Sequence, residues 1–194
     1  MRHPRTLVSL ICLFLFLCMA GAALAAASYD HTVPGRGSDP EIERSIKACL
    51  ADKDPQKARL INVYSFMGHV FMVGEQPDPA FGLWAERVAH YEKDTHFFTA
   101  HWFPGQTADP NADPALKAAV ISRLGPIMQS PNRVEVEVWG QNVVLLGTVR
   151  TPEEVAQAEQ LGKAVPGVKT FRSHIMTSAQ ARKAIANPSE LYHK

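Results

Sequence analysis

The sequence predicts an α+β fold built from one unit used twice. Each unit runs α-β-β-α-β, with a three-stranded mixed sheet and two helices on one face. Three observations carry this. Landmarks recur at a near-constant spacing: Ile42, Ile46 and Leu50 fall on Leu116, Val120 and Leu124 at an offset of 74, Gly74 and Ala85-Glu86 fall on Gly147 and Ala158-Glu159 at 73, and Gly68 falls on Gly140 at 72. An Asp-Pro pair, Asp39-Pro40 or Asp113-Pro114, opens each unit. The hydrophobic period also switches between helical and strand spacing in the same order in both. Two copies of a small module point to a tandem binding protein rather than an enzyme with one deep cleft.

The elements follow in order. Arg2 and Arg5, the apolar run from Leu7 to Met19, and the small residues Gly21 to Ala27 have the layout of a secretory signal peptide, residues 1–27, with cleavage after Ala25 or Ala27. The apolar run is shorter than the ~20 residues a spanning helix needs. Lipid attachment at Cys18 is disfavoured because Leu17, not a small residue, precedes it. Residues 28–38 read as a flexible lead-in, and Gly35-Arg36-Gly37 within it precedes no strand–helix junction.

The first unit spans residues 39–104. Asp39 is placed to cap a helix with Pro40 at its first position. Ile42, Ile46, Cys49 and Leu50 form its apolar stripe, with Cys49 as a small buried hydrophobe, and Asp52 to Pro55 ends it. Arg59 to Phe66 and Val70 to Val73 are strands around a turn at Met67-Gly68-His69. Pro77-Asp78-Pro79 opens a second helix with stripe Phe81, Trp84, Ala85 and Val88, and Thr95 to Phe103 is the last strand.

Residues 105–112 form a linker too short for a free tether, so the units are expected to touch. The second unit spans 113–177. Val134 to Val138 alternates strictly, as a strand with one wet face does, which makes Glu135 and Glu137 a solvated pair. Val143 to Leu146 reads as buried on both faces. Thr151-Pro152-Glu153-Glu154 is a capped helix start, with stripe Ala158, Leu161 and Val165. Val168 to Met176 closes the unit. Each strand–helix–strand step implies a parallel strand pair. Residues 178–194 form a tail with a short helix near Ala179 to Ala186.

Composition limits the function. Export removes two of the 20 basic residues and none of the 19 acidic ones, leaving a charge of −1. A nucleic-acid binder that relied on bulk charge would be strongly basic, so no nucleic-acid partner is expected. Residues 26–110 hold 8 basic and 12 acidic side chains, whereas residues 111–194 hold 10 and 7, so only the second half suits an anionic surface. No metal or cofactor is expected. His90, His96 and His101 cluster in sequence with His69 near a turn, but His96 and His101 point to opposite faces of one strand and no ligand spacing completes the set. Trp84, Trp102 and Trp139 are placed in packing. Gly68, Gly74, Gly140, Gly147 and Gly167 are structural glycines at turns and strand ends.

Specific stretches resemble the BON domain, a small module of exported bacterial proteins. They are Val143 to Val149, Thr151-Pro152-Glu153-Glu154, Ala158 and Val165-Pro166-Gly167-Val168. In the first unit Ala58-Arg59, Ile61-Asn62-Val63, Gly68, Val70, Val73-Gly74-Glu75 and Pro77 are similar to a BON unit of a dual-BON outer-membrane lipoprotein. Glu92-Lys93-Asp94-Thr95 stands where the second unit has Pro-Gly-Val. The resemblance implies a non-catalytic periplasmic protein, peripheral to the outer membrane, whose partners are anionic phospholipid, outer-membrane components or envelope proteins. The alternative it implies is a soluble stress or chaperone-type protein that binds proteins instead of lipid. It places lipid contact on the helix from Asp113 to about Met128, with candidates Ala115, Leu116, Lys117, Val120, Ile121, Arg123 and Leu124. Of these, Leu116, Val120 and Leu124 also form the stripe expected to face the sheet. Ala115 stands where the lipoprotein has a tryptophan that meets the bilayer.

Overall fold

The computed structural model describes residues 38–76 and 78–187. The expected signal peptide with Cys18, the lead-in up to residue 37 and the tail from 188 onward lie outside the described residues. The first unit comprises α1 (Asp39–Lys53), α2 (Pro55–Ala58), β1 (Ile61–Phe66), β2 (His69–Glu75), α3 (Pro79–Tyr91) and β3 (Phe97–Phe103). The second comprises α4 (Asp113–Leu124), β4 (Arg133–Trp139), β5 (Asn142–Val149), α5 (Pro152–Lys163), β6 (Thr170–Thr177) and α6 (Ser178–Ala186). The described residues thus form a mixed α+β structure with two three-stranded mixed sheets and six helices.

Both sheets have the same pairing. In β1-β2-β3 the first pair is antiparallel and the second parallel, and β4-β5-β6 repeats this. Helices α1 and α3 cover one face of the first sheet, where Ile42, Ile46 and Leu50 meet Val63, Val70, Met72, Ala85 and Ala89. Leu116, Val120, Leu124, Val136, Val143, Leu145 and Ala158 build the matching core under α4 and α5. The other two sheet faces pack on each other. Phe66, Phe71, Val73 and Phe103 of the first unit meet Val144 and Leu146 of the second, bordered by Tyr64 and Trp139. The units do touch, and they do so through the faces the helices leave bare, giving four layers of helix, sheet, sheet and helix.

The register refines the repeat. Ile61 pairs with Gly74 and Val134 with Gly147, so the strands superpose at an offset of 73 throughout. The hairpin turns are the two-residue kind with positive φ at both positions, Met67 (56°) and Gly68 (76°) in one, Gly140 (57°) and Gln141 (67°) in the other. Gly140 therefore corresponds to Met67, not to Gly68. Asp94, at φ 67°, takes the place that Gly167, at φ 94°, holds in the second unit, so the first unit keeps that turn without a glycine.

Local chemistry corrects three sequence expectations. Asp39 does not cap α1. Ser38 is the N-cap, with its N–H donating to the Glu41 carboxylate at 2.8 Å. The Asp39 carboxylate instead reaches the first hairpin turn and accepts from the N–H of Met67 and of Gly68, each at 2.9 Å. Asp113 does the same for Gly140 and Gln141, at 2.7 and 2.9 Å. Each unit thus ties its first helix to its hairpin by one carboxylate that satisfies two turn donors. Cys49 is exposed rather than buried. The α1 stripe drifts from Ile42 through Leu50 toward Glu43, which accepts from Ser65 N–H, and that leaves Cys49 just outside it. Finally, Asp54-Pro55 starts a helix as well as ending one. The Asp54 side chain accepts from Gln56 and Lys57 N–H, so α2 forms and β1 begins at Ile61 instead of Arg59.

Gly74 and Gly147 allow the close approach on which each sheet is built. A Cβ at Gly147, where φ is 134°, would lie 2.0 Å from the Arg133 carbonyl oxygen, and one at Gly74 1.9 Å from that of Leu60. Both obstacles are backbone and cannot rotate away. Gly147→Ala is therefore expected to cost about 2–4 kcal/mol in urea unfolding. Gly105→Ala, with no atom within 4 Å of the added Cβ, should stay within about 0.5 kcal/mol of the parent.

Candidate functional site

Two surfaces are candidates for function: the outward face of α4, where the candidate lipid residues lie, and the seam between the sheets. Helical periodicity splits the seven candidates. Leu116, Val120 and Leu124 point at their own sheet and are buried in its core, so they are removed from the contact surface. Ala115, Ile121 and Arg123 face outward, with Ile121 38% exposed, the largest apolar side chain α4 presents to solvent. Lys117 is half-exposed, and its ammonium lies 3.1 Å from Glu137 at the seam. Asp113, the one acidic residue of α4, is buried against the hairpin turn, so the outward face carries Arg123 and no carboxylate.

The seam holds the polar network that sequence reasoning missed. Glu137 was expected on a wet sheet face, yet it is 3% exposed. The second unit's free sheet face is covered by the first unit, and β4 alternation presents Glu137 to that contact. Its carboxylate accepts from Asn62 Nδ2 at 2.9 Å, from the Tyr64 hydroxyl, and from Lys117 Nζ. Burial, and then the Glu137 charge, raise the Tyr64 hydroxyl well above the usual phenol range and keep it a donor. Beside this, Arg133 Nη1 donates to Asp39 at 2.8 Å, and its guanidinium stacks over the Phe66 ring at 5.1 Å. Asp39 also accepts from the Ser65 hydroxyl of its own unit, so Arg133 joins the helix–hairpin tie of the first unit to the second.

The histidines also sort differently from the sequence cluster. His101 joins His69 and the distant His174 in the seam, and His90 and His96 lie elsewhere. The repeat offset contained the signal, because 73 residues separate His101 from His174. Among the described residues, no group of three or more His, Cys, Asp or Glu side chains is arranged to hold a metal. Trp84 and Trp102 pack on the first core, and Trp139 stacks on Phe103 in the seam at 6.2 Å. A shallow polar groove beside the linker is lined by Thr107, Asp109, Gln141, Asn142 and Lys169. The Asp109 carboxylate there is taken up by the N–H groups of Asn111 and Ala112.

Residues 112–184 match the BON domain family, so a BON domain occupies the second unit and runs into α6. The first unit shares the helix, strand, strand, helix, strand order and the strand pairing, with α2 added and no counterpart of α6. No curated protein matches the sequence. Among solved structures, the chain is similar to CdsD, a structural protein of the type III secretion system of Chlamydia trachomatis. One such structure is 10% identical over 76% of this chain and 68% of that chain, with a TM-score of 0.30. A second, the CdsD C-terminal domain, is 12% identical over 81% and 74%, with a TM-score of 0.29. No helix among the described residues is long and apolar enough to cross a membrane.

The seam chemistry gives an ordered expectation. Glu137→Ala strands the Asn62 and Tyr64 donors in the seam and should cost about 2–4 kcal/mol in denaturant unfolding. Lys117→Ala removes a partner that is 39% exposed and should cost about 1 kcal/mol or less. Equal losses in the two variants would contradict the assignment of Glu137 as the buried hub.

Proposed function

We propose that the chain is a non-enzymatic envelope protein with two BON domains, exported to the periplasm, whose second domain contacts anionic phospholipid through the outward face of α4. The BON family is linked to phospholipid binding and to envelope-associated and secretion-associated proteins, and residues 112–184 match it. The observation that carries the reading is the character of α4: Arg123 and Ile121 face outward and no carboxylate does. Cations beside an apolar side chain suit an anionic interface. The arrangement resembles DolP, a dual-BON outer-membrane lipoprotein that binds anionic phospholipid. Here Ala115 replaces the interfacial tryptophan and Leu17 speaks against an acyl anchor at Cys18, so the affinity expected is weak and dependent on charge.

A second reading is a soluble OsmY-like protein that binds proteins instead. It draws on Leu83 and Tyr91 of α3, which are 57% and 80% exposed. Flotation with vesicles separates the two. The lipid reading expects the chain to float with vesicles containing phosphatidylglycerol, to stay behind with pure phosphatidylcholine, and to lose flotation several-fold on Ile121→Asp with Arg123→Glu. Flotation unchanged by that pair, or none on anionic vesicles at low salt, would remove the α4 site.

A further inference from the structure

The end of the seam formed by β3 and β6 collects three imidazoles from both units. His69 of β2 stacks on Phe71 with ring centroids 4.0 Å apart, and His174 of β6 lies 5.8 Å from the same ring. His101 of β3 faces His174 across the contact at 6.3 Å. On β2 the seam face also carries Glu75, two residues past the Val73 that pairs with His101, and its carboxylate accepts from the Ala108 N–H at 2.7 Å. Thr99 of β3 shares a hydrogen bond with His69 at 2.9 Å, β5 presents Val144 and Leu146, and β6 presents Arg172 on the same side as His174. Among the described residues no carboxylate bonds to these rings. Of the other carboxylates on this side, Glu137 and Asp39 are engaged by Lys117, Tyr64, Asn62 and Arg133, and Glu135 lies on β4 near Lys117 and Arg133. His69 Nδ1 and His174 Nε2 are buried without a partner.

We propose that this cluster makes the contact between the two units acid-sensitive, so that protonation of His101 and His174 beside Arg172 parts the two sheets while each unit keeps its own core. Two added cations would face one another and a guanidinium with no carboxylate bonded to either ring, since Glu75 is taken up by the Ala108 N–H. The helix-side cores contain none of these groups, so the repulsion acts on the seam alone.

The direction in pH follows from burial. Burial lowers His101 and His174 below the ordinary value of 6.5, and Arg172 lowers both further. His69 is pushed down to about 4 by burial, helped by His174. Between pH 6.5 and about 4 the separated rings bind more protons than the docked ones. Docking is therefore at full strength above pH 6.5 and weakens as pH falls through that window.

The test is small-angle scattering of the full chain from pH 7.5 to 4.5, with far-ultraviolet circular dichroism in parallel. A rise in radius of gyration at acid pH with unchanged secondary structure is expected. Arg172→Gln, an exposed change, should move the midpoint of that rise to lower pH, and His101→Gln with His174→Gln should abolish it. A radius constant over the range would overturn the proposal. So would an expansion that persists in the double histidine variant or is unmoved by Arg172→Gln, since either assigns the response to other groups.

Discussion

A three-stranded sheet has two faces, and two helices can cover only one. Everything specific to this chain follows from how the second face is covered. Val144 and Leu146 on one sheet and Phe71 and Val73 on the other would be exposed apolar rows in an isolated unit, and here they bury each other. That requirement explains why β2 and β5, the central strands, are apolar on both sides while the outer strands are not. It also explains why carboxylates, a phenol and imidazoles on the outer strands meet partners from the other unit instead of water.

The seam is close to a two-fold contact made within one chain. At the offset of 73 fixed by the strand register, Tyr64 corresponds to Glu137 and His101 to His174, and each of these pairs meets directly. Contact between equivalent positions is the mark of an isologous interface, in which one surface packs on a copy of itself. Duplication then let the halves diverge. A self-paired Tyr64 or Glu137 position would place two phenols or two carboxylates together, whereas the joined pair is a donor and an acceptor. Arg133 and Asp39 add an ion pair with no counterpart related by the two-fold, because Leu60 stands where the first unit would need the cation. Divergence of this kind favours contact within the chain over contact between copies.

The parts of the fold governed by local pattern were legible. The helix stripes, the Thr151 cap with Glu154, the parallel strand pairs and the buried run Val143 to Leu146 all follow from spacing or capping chemistry within a few residues. What was not legible depended on the seam. Strict alternation in β4 says that Glu137 lies opposite Val136 and Val138, but it cannot say what covers the far face. The carboxylate of Asp39 looked like a helix cap because the hairpin turn it satisfies lies 28 residues further on. His174 escaped notice for the same reason, although the repeat pairs it with His101. On α4 the pattern separated the core stripe from the outward residues, whereas the role of Lys117 at Glu137 required the other unit's position.

Committing the inner sheet faces to each other leaves the helices as the outward surfaces, and the two units are not equal there. The outward side of α1 mixes Arg44, Lys47 and Lys53 with Glu41 and Asp52, so its field largely cancels. On α4 the equivalent side is small and neutral apart from Arg123, with Lys117 at its border, and its acid is turned inward to hold the hairpin. The same carboxylate that fastens α4 to its sheet thus keeps negative charge off the outer surface. Asp39 does this for α1 as well, but the extra acids there undo the effect. The asymmetry between the two units leaves the second with the less acidic outer helix, while the first covers the inner face of its sheet.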